Sequence, residues 1–183
     1  QFFMRIHGHQ FTITQLCCLF MYYSFAKYLP ATNKCFNIGG LLRAALCKKI
    51  FRKCGKHVNI ERGATFGVGI YVELGDYSGI GKNAVIPCDS KIGKYVMMGP
   101  SCHILSVNHV IDSVDIPMMF QGDTPKQSVV IEDDVWIGQN VTIMPGKVIS
   151  KGSVIAACCV LTKNFPAYSV VGGNPGKLIR SRV

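Results

Sequence analysis

Residues 131–161 read IEDDVWIGQNVTIMPGKVISKGSVIAACCVL, and an aliphatic side chain returns at every sixth position: Ile131, Ile137, Ile143, Ile149, Ile155 and Leu161. A helix brings side chains back to one face with a period of about 3.6 and a strand with a period of about 2, so neither explains the spacing. A chain that winds through short strands and turns once per unit does explain it. The aliphatic residue that opens each unit points inward, and the small residue beside it lets the corner turn. Working outward, the same count recurs at Val68, Leu74, Ile80, Ile86, Ile92, Met98 and Ile104, with Gly69, Gly75, Gly81, Gly93 and Gly99 behind five of them. With about three units per coil, residues 58–105 and 129–166 make roughly five coils, stacked at about 4.8 Å by hydrogen bonds between parallel strands. The fold class is all-β: a parallel β-helix whose coils touch only their neighbours and whose ends need caps.

Between residues 105 and 130 the period breaks, in LSVNHVIDSVDIPMMFQGDTPKQSVV. A long loop expelled from a strict solenoid belongs to a binding face. This one carries His109, Asp112, Asp115, two prolines and Met118, Met119 and Phe120. Before residue 57 the pattern predicts two helices, roughly 11–28 and 40–54. In the second, Leu42, Ala45, Leu46, Lys49 and Ile50 share a face, and Gly55 stops it after a basic last turn. The expected organisation is a short α-helical N-terminal segment (1–56), the β-helix (57–166) with its loop at 106–128, and a C-terminal cap and tail (167–183).

The chain has 183 residues, 49% hydrophobic and 16% charged, which suits one globular domain and excludes a disordered chain. Its 20 Lys+Arg against 10 Asp+Glu give a formal charge of +10, which invites an anionic partner. Arg43, Lys48, Lys49, Arg52, Lys53 and Lys56 read first as a solvated face and second as a contact for anionic lipid, so peripheral contact with the inner membrane face is a candidate interaction. Nucleic acid is not an expected partner, because the charge is spread and the aromatics follow no stacking pattern. The greasiest run, LCCLFMYYSFA at 16–26, falls short of the roughly 20 residues that span a bilayer, so neither a spanning helix nor a signal peptide is expected. Nine cysteines, two adjacent pairs among them and no C-x-x-C spacing, argue for free thiols in a reducing, cytoplasmic setting and against a zinc ribbon.

The hexads, the loop opening SVNHVID, then IEDDVWIGQNVTIMPG, and the closing GNPGKLIRSR together resemble the hexapeptide-repeat acyltransferases. Within them the chain is similar to the galactoside, maltose and xenobiotic acetyltransferase branch, and most of all to members that acetylate hydroxyls of capsular or colanic-acid-type polysaccharides. The resemblance covers about residues 58–183. It implies a left-handed β-helix, a homotrimer with active sites between adjacent subunits, acetyl-CoA as donor, a saccharide acceptor and no metal.

Carried over residue by residue, the resemblance implies that His109 is the catalytic base. The chemistry is independent of the family: a hydroxyl attacking a thioester needs a base that accepts its proton as the bond forms, and neutral imidazole suits that task, with backbone N–H groups for the oxyanion. By register, the resemblance places Gln139, Ala157, Thr162, Lys163, Lys177 and Arg180 along acetyl-CoA, the last three cations meeting its phosphates. Asn108, His103 and Trp136 are the candidate acceptor-side residues, His103 also as a group that could orient His109. Gly79 and Pro87 stand where galactoside-type relatives carry an acceptor-binding Asn and Asp, and Lys147, Ser150, Ala156 and Cys158 replace the usual aliphatic or corner residues, so acceptor recognition must come from elsewhere. Competing readings are N-acetylation of an amino sugar or xenobiotic amine, a metalloenzyme of the γ-class carbonic anhydrase kind, and a non-catalytic solenoid. The metalloenzyme would need three converging histidines, and beyond residue 57 only His103 and His109 exist.

Overall fold

The computed structural model describes residues 3–6, 9–31 and 37–183, and in it the hexads become two-residue strands on three faces. His7 and Cys35 lie outside the described residues. The first face stacks Lys53–Cys54, Glu73–Leu74, Lys91–Ile92, Val130–Ile131 and Val148–Ile149, all parallel. The second carries Asn59–Ile60 beside Gly79–Ile80, then Met97–Met98, Trp136–Ile137, Val154–Ile155 and Ser169–Gly172. The third carries His103–Ile104, Thr142–Ile143 and Val160–Leu161, reached from below through Thr65 and Val85. This is a parallel β-helix of five coils, as the spacing predicts.

Each coil hangs on the next by backbone hydrogen bonds, such as Gly75 N–H to Ile92 O at 2.9 Å and Gly93 N–H to Ile131 O at 2.7 Å. Inside, Leu74, Ile80, Ile92, Ile104, Ile131, Ile137, Ile143, Ile149, Ile155 and Leu161 are all at most 4% exposed. The coils approach so closely at the corners that a Cβ on Gly99 would stand 2.6 Å from the Gln139 nitrogen, which is why glycine is required there.

One unit departs from the expected register. Leu74 pairs with Ile92, eighteen residues on, but Cys54 pairs with Leu74, twenty residues on. The two extra residues lie in the corner at 67–72, so Val68 is not the first inward residue of the series and is only half-buried. Fully buried Phe66 takes that place. Its ring is the point on which the N-terminal helices seat, with Tyr22 at 4.6 Å, Phe51 at 4.8 Å and Tyr23 at 5.6 Å between ring centroids. Gly55 is likewise not a helix stop but a corner of the first coil, where a Cβ would meet the Asp76 nitrogen at 2.5 Å.

The N-terminal segment begins with an antiparallel hairpin, β1 (Phe3–Ile6) and β2 (His9–Thr12), and continues into helices α1 (Ile13–Ser24) and α2 (Ile38–Ile50). Both helices are shorter than predicted, because Thr12 and Gln15 form a capping box that starts α1 late and the chain enters the first coil at Lys53. The buried side of α2 is Gly39, Gly40, Arg43, Leu46, Cys47 and Ile50, whereas Ala45 and Lys49 are exposed.

Arg43 therefore leaves the basic surface to which the sequence assigns it. It is fully buried and donates from Nε to Ile60 O at 2.6 Å, from Nη1 to Ala26 O, Leu29 O and Pro30 O, and from Nη2 to Pro30 O. Burial lowers its pKa, but a guanidinium stays charged, so the site is satisfied only by this ring of carbonyls. The reason lies in the solenoid: the first coil has no coil before it, and its edge groups need partners. Arg43 takes Ile60 O, Tyr22 Oη donates to Ala64 O at 2.9 Å, and Lys27 O accepts from Gly63 N–H at 3.0 Å. At the far end Lys177–Ser181 folds back antiparallel on Ser169–Gly172 and closes the last edge.

Replacing Arg43 by Met keeps much of the volume but removes the donors to Ile60 O, Leu29 O and Pro30 O. The expected cost is about 3 kcal/mol, and a thermal melt should shift down by roughly 6–12 °C. A shift within error would refute the capping role.

Candidate active site

The loop leaves the corner after the third face and returns to the first face in register, so Ile131 pairs with Ile92 as if nothing intervened. Its two limbs form a short ribbon. Thr124 N–H donates to Asn108 O at 2.7 Å, Val110 N–H to Gly122 O at 3.0 Å, and Gln127 N–H to Ser106 O at 2.8 Å. Asn108 N–H in turn donates to the Thr124 hydroxyl at 3.0 Å. At the tip Gln121 closes the turn, donating to Ser113 O and Ile116 O and accepting from Ser113 N–H.

The base of the ribbon is pinned by Asp89 from the coil below, which faces Lys126 Nζ at 3.0 Å and accepts from the Ser128 hydroxyl. Burial alone would raise the Asp89 pKa, but the Ser128 hydrogen bond and the Lys126 charge more than offset it, and the carboxyl lies below its ordinary value. For Lys126 the outcome mirrors this: burial would lower its pKa, and the bond to Asp89 raises it. The sign follows for each group. Asp89 stabilises the folded loop above its unfolded pKa of about 4 and loses that contribution as pH falls through the depressed value. Lys126 contributes below about 10.4 and loses it as pH rises through the raised value.

The ribbon sets His109 opposite Asp123, with Nδ1 2.9 Å from Oδ1 and both side chains largely exposed. A carboxylate against Nδ1 holds the proton on that nitrogen and leaves the Nε2 lone pair free to accept another. The side chain against His109 is Asp123, not His103, whose Nδ1 lies 3.1 Å from Ser101 O on the third face. Beside the ribbon runs an open groove of about 350 Å³ lined by Asn108, Thr124, Gln127, Met144, Pro145, Lys147 and Thr162. Asn108 and Thr162 thus share one groove, and Lys163, next in sequence to Thr162, is exposed.

The other candidates lie elsewhere on the chain. Trp136 is half exposed on the second face between Met97 and Val154. Gln139 and Ala157 stack at the corner between the second and third faces, where a Cβ on Gly138 would stand 2.6 Å from the Ala157 nitrogen. Lys177 and Arg180 lie on the exposed final strand. On one chain the loop residues thus lie at the corner after the third face, and Trp136, Gln139, Ala157, Lys177 and Arg180 lie on the second face and at the corner before the third. Lys147, out of pattern in the sequence, lines the groove, and Cys158 turns its corner with a φ of 62°. Among the described residues, no three His, Cys, Asp or Glu side chains gather to hold a metal, and the cysteines are free. Burial pushes the Cys54 thiol up to about 11.

Asp123 and the Asp89–Lys126 anchor went unread in the sequence. Nothing in the spacing pairs residue 123 with 109; only the return of the loop to its own corner does.

Residues 128–163 match the family described as bacterial transferase hexapeptide (six repeats). A probable acetyltransferase of Mycobacterium tuberculosis is 33% identical over 113 residues, covering 61% of this chain and 37% of its own length. Galactoside O-acetyltransferase of Lactococcus lactis is 33% identical over 133 residues, 71% of this chain and 63% of its own. The chain thus spans between about a third and two thirds of these two relatives. Among solved structures, a hexapeptide-repeat acetyltransferase of Vibrio cholerae, complexed with acetyl coenzyme A, superposes with a TM-score of 0.67 and 33% identity over 76% of this chain and 75% of that one.

Amide exchange in 106–110 and 122–127, corrected for intrinsic rates, should stay slow from about pH 5 to 9 and quicken as pH falls from the unfolded carboxylate value of about 4 through the depressed value of Asp89. Asp89→Asn should bring the fast behaviour to neutral pH. Unchanged protection in that variant would remove the anchor.

Proposed function

The chain belongs to the hexapeptide-repeat acetyltransferase family, and from that premise we propose that it moves an acetyl group from acetyl-CoA to a saccharide hydroxyl. The observation that carries this reading is His109 Nδ1 at 2.9 Å from Asp123 Oδ1 on an exposed ribbon beside a groove. The Lactococcus relative supports a saccharide hydroxyl as acceptor, and the Vibrio complex supports the donor.

In this reading His109 Nε2 takes the proton of the attacking hydroxyl, while Asp123 keeps Nδ1 protonated and steadies the charge the ring acquires. Acetyl-CoA supplies an already activated acyl group, so the chain's task is to align it and remove a proton. The groove and the glycine-tight corner suit an extended, narrow ligand. Gln139 and Ala157 offer a flat wall, Thr162 lies in the groove, and Lys163, Lys177 and Arg180 offer cations to phosphates. Asn108, His103 and Trp136 would meet the acceptor. Because the loop residues and the second-face residues lie apart on one chain, a homotrimer would complete each site by laying one subunit's loop against its neighbour's coils.

The test is acetyl-CoA consumption against nucleotide sugars, lipid-linked glycans and simple amines. Transfer to a sugar hydroxyl is expected, and turnover on amines alone would move the chain to N-acetylation. His109→Ala should lower kcat by roughly 10²–10⁴ with acetyl-CoA binding intact. Asp123→Asn should lower kcat by at least about tenfold with the KM for acetyl-CoA unchanged, since a group that only holds the loop would move both. Full activity in His109→Ala sinks the mechanism.

A further inference from the structure

The outer side of the N-terminal helix pair is apolar where a solvated surface would be polar. On α1 and its C-cap, Ile13, Phe20, Met21 and Phe25 are 56%, 74%, 46% and 58% exposed, and at the start of α2 Ile38 and Leu41 are 63% and 64% exposed. The α1 positions recur at helical spacing, so they form a stripe opposite the face that buries Tyr22 against the coils. A contiguous patch of large apolar side chains marks an interaction surface.

The charge around it says what kind of surface it meets. Residues 1–60 hold nine of the chain's 20 Lys+Arg and none of its 10 Asp+Glu, so +9 of the +10 resides there. With Arg43 buried, exposed Lys48 and Lys49 border the helix pair at one end, and Lys27 Nζ lies 5.6 Å from the Tyr28 ring at the other. Among the described residues no helix is long and apolar enough to cross a membrane. Helices of this length lying flat, greasy on one side and rimmed by lysine, match the requirements of an interfacial contact.

We infer that this face docks on an anionic lipid bilayer, with the stripe at the headgroup boundary and Lys27, Lys48 and Lys49 on lipid phosphates. A second copy of the chain is the poorer occupant, because it would bring the same positive field against itself. Docking of this kind needs no acetyl transfer, so a chain that binds vesicles yet acetylates nothing would leave the surface standing.

The experiment sediments the full chain with vesicles of phosphatidylglycerol and phosphatidylcholine in equal parts, and with phosphatidylcholine alone. Partition to the anionic vesicles is expected, weakening as salt rises. Phe20→Glu and Lys48→Glu should each weaken it by about tenfold or more, while Lys82→Glu, the same charge change on an exposed turn of the coils, should not. Melting curves establish that each variant folds, and Lys48→Glu decides if Phe20→Glu does not. Three outcomes overturn the inference: no binding to anionic vesicles, an equal loss from Lys82→Glu, or a change in vesicle-free oligomer mass caused by Phe20→Glu.

Discussion

Backbone hydrogen bonding from each coil to the next is the constraint under which every other feature of this chain operates. Gly75, Gly93 and Gly99 each donate to the coil above, and the spacing this sets leaves no room for a Cβ at the tight corners. A ladder of this kind also has two open ends. That is why an arginine, a side chain ordinarily found at the surface, lies fully buried among carbonyls of the segment after α1 and of the first coil. The antiparallel return of Lys177–Ser181 answers the same demand at the opposite end.

The His109–Asp123 pair stands off this ladder. Loops carry functional groups because a regular lattice has no spare polar atoms to offer, and this pair sits on a ribbon pushed out from one corner. Its placement still depends on the solenoid, through Asp89 reaching up to Lys126 and Ser128. The groove draws on both parts: Asn108, Thr124 and Gln127 come from the ribbon, and Met144, Pro145, Lys147 and Thr162 from two successive coils.

Much of the solenoid was legible because one local rule repeats. An inward aliphatic every six residues marks Leu74 through Leu161 without knowledge of any distant contact. The rule misread its own start, since Val68 fits the count while Phe66 does the packing, and the deciding fact is an aromatic cluster that brings Tyr22 and Tyr23, more than forty residues away in sequence, together with Phe51. Arg43 was misplaced for a related reason: sequence shows its charge but not the edge that needs donors. At the candidate site, the expelled loop and the place of His109 on it were legible. Asp123 was not, because its pairing depends on how the ribbon closes, and ribbon register follows no period.

Ile92 and Ile131 pair as though consecutive, so the solenoid does not register how many residues separate them. Insertions, deletions or wholesale exchange of that segment would leave the stacking untouched as long as both limbs return to the same corner. The scaffold can thus be inherited unchanged while the projecting lobe diversifies, which makes this junction the natural place to graft a new lobe onto an old framework.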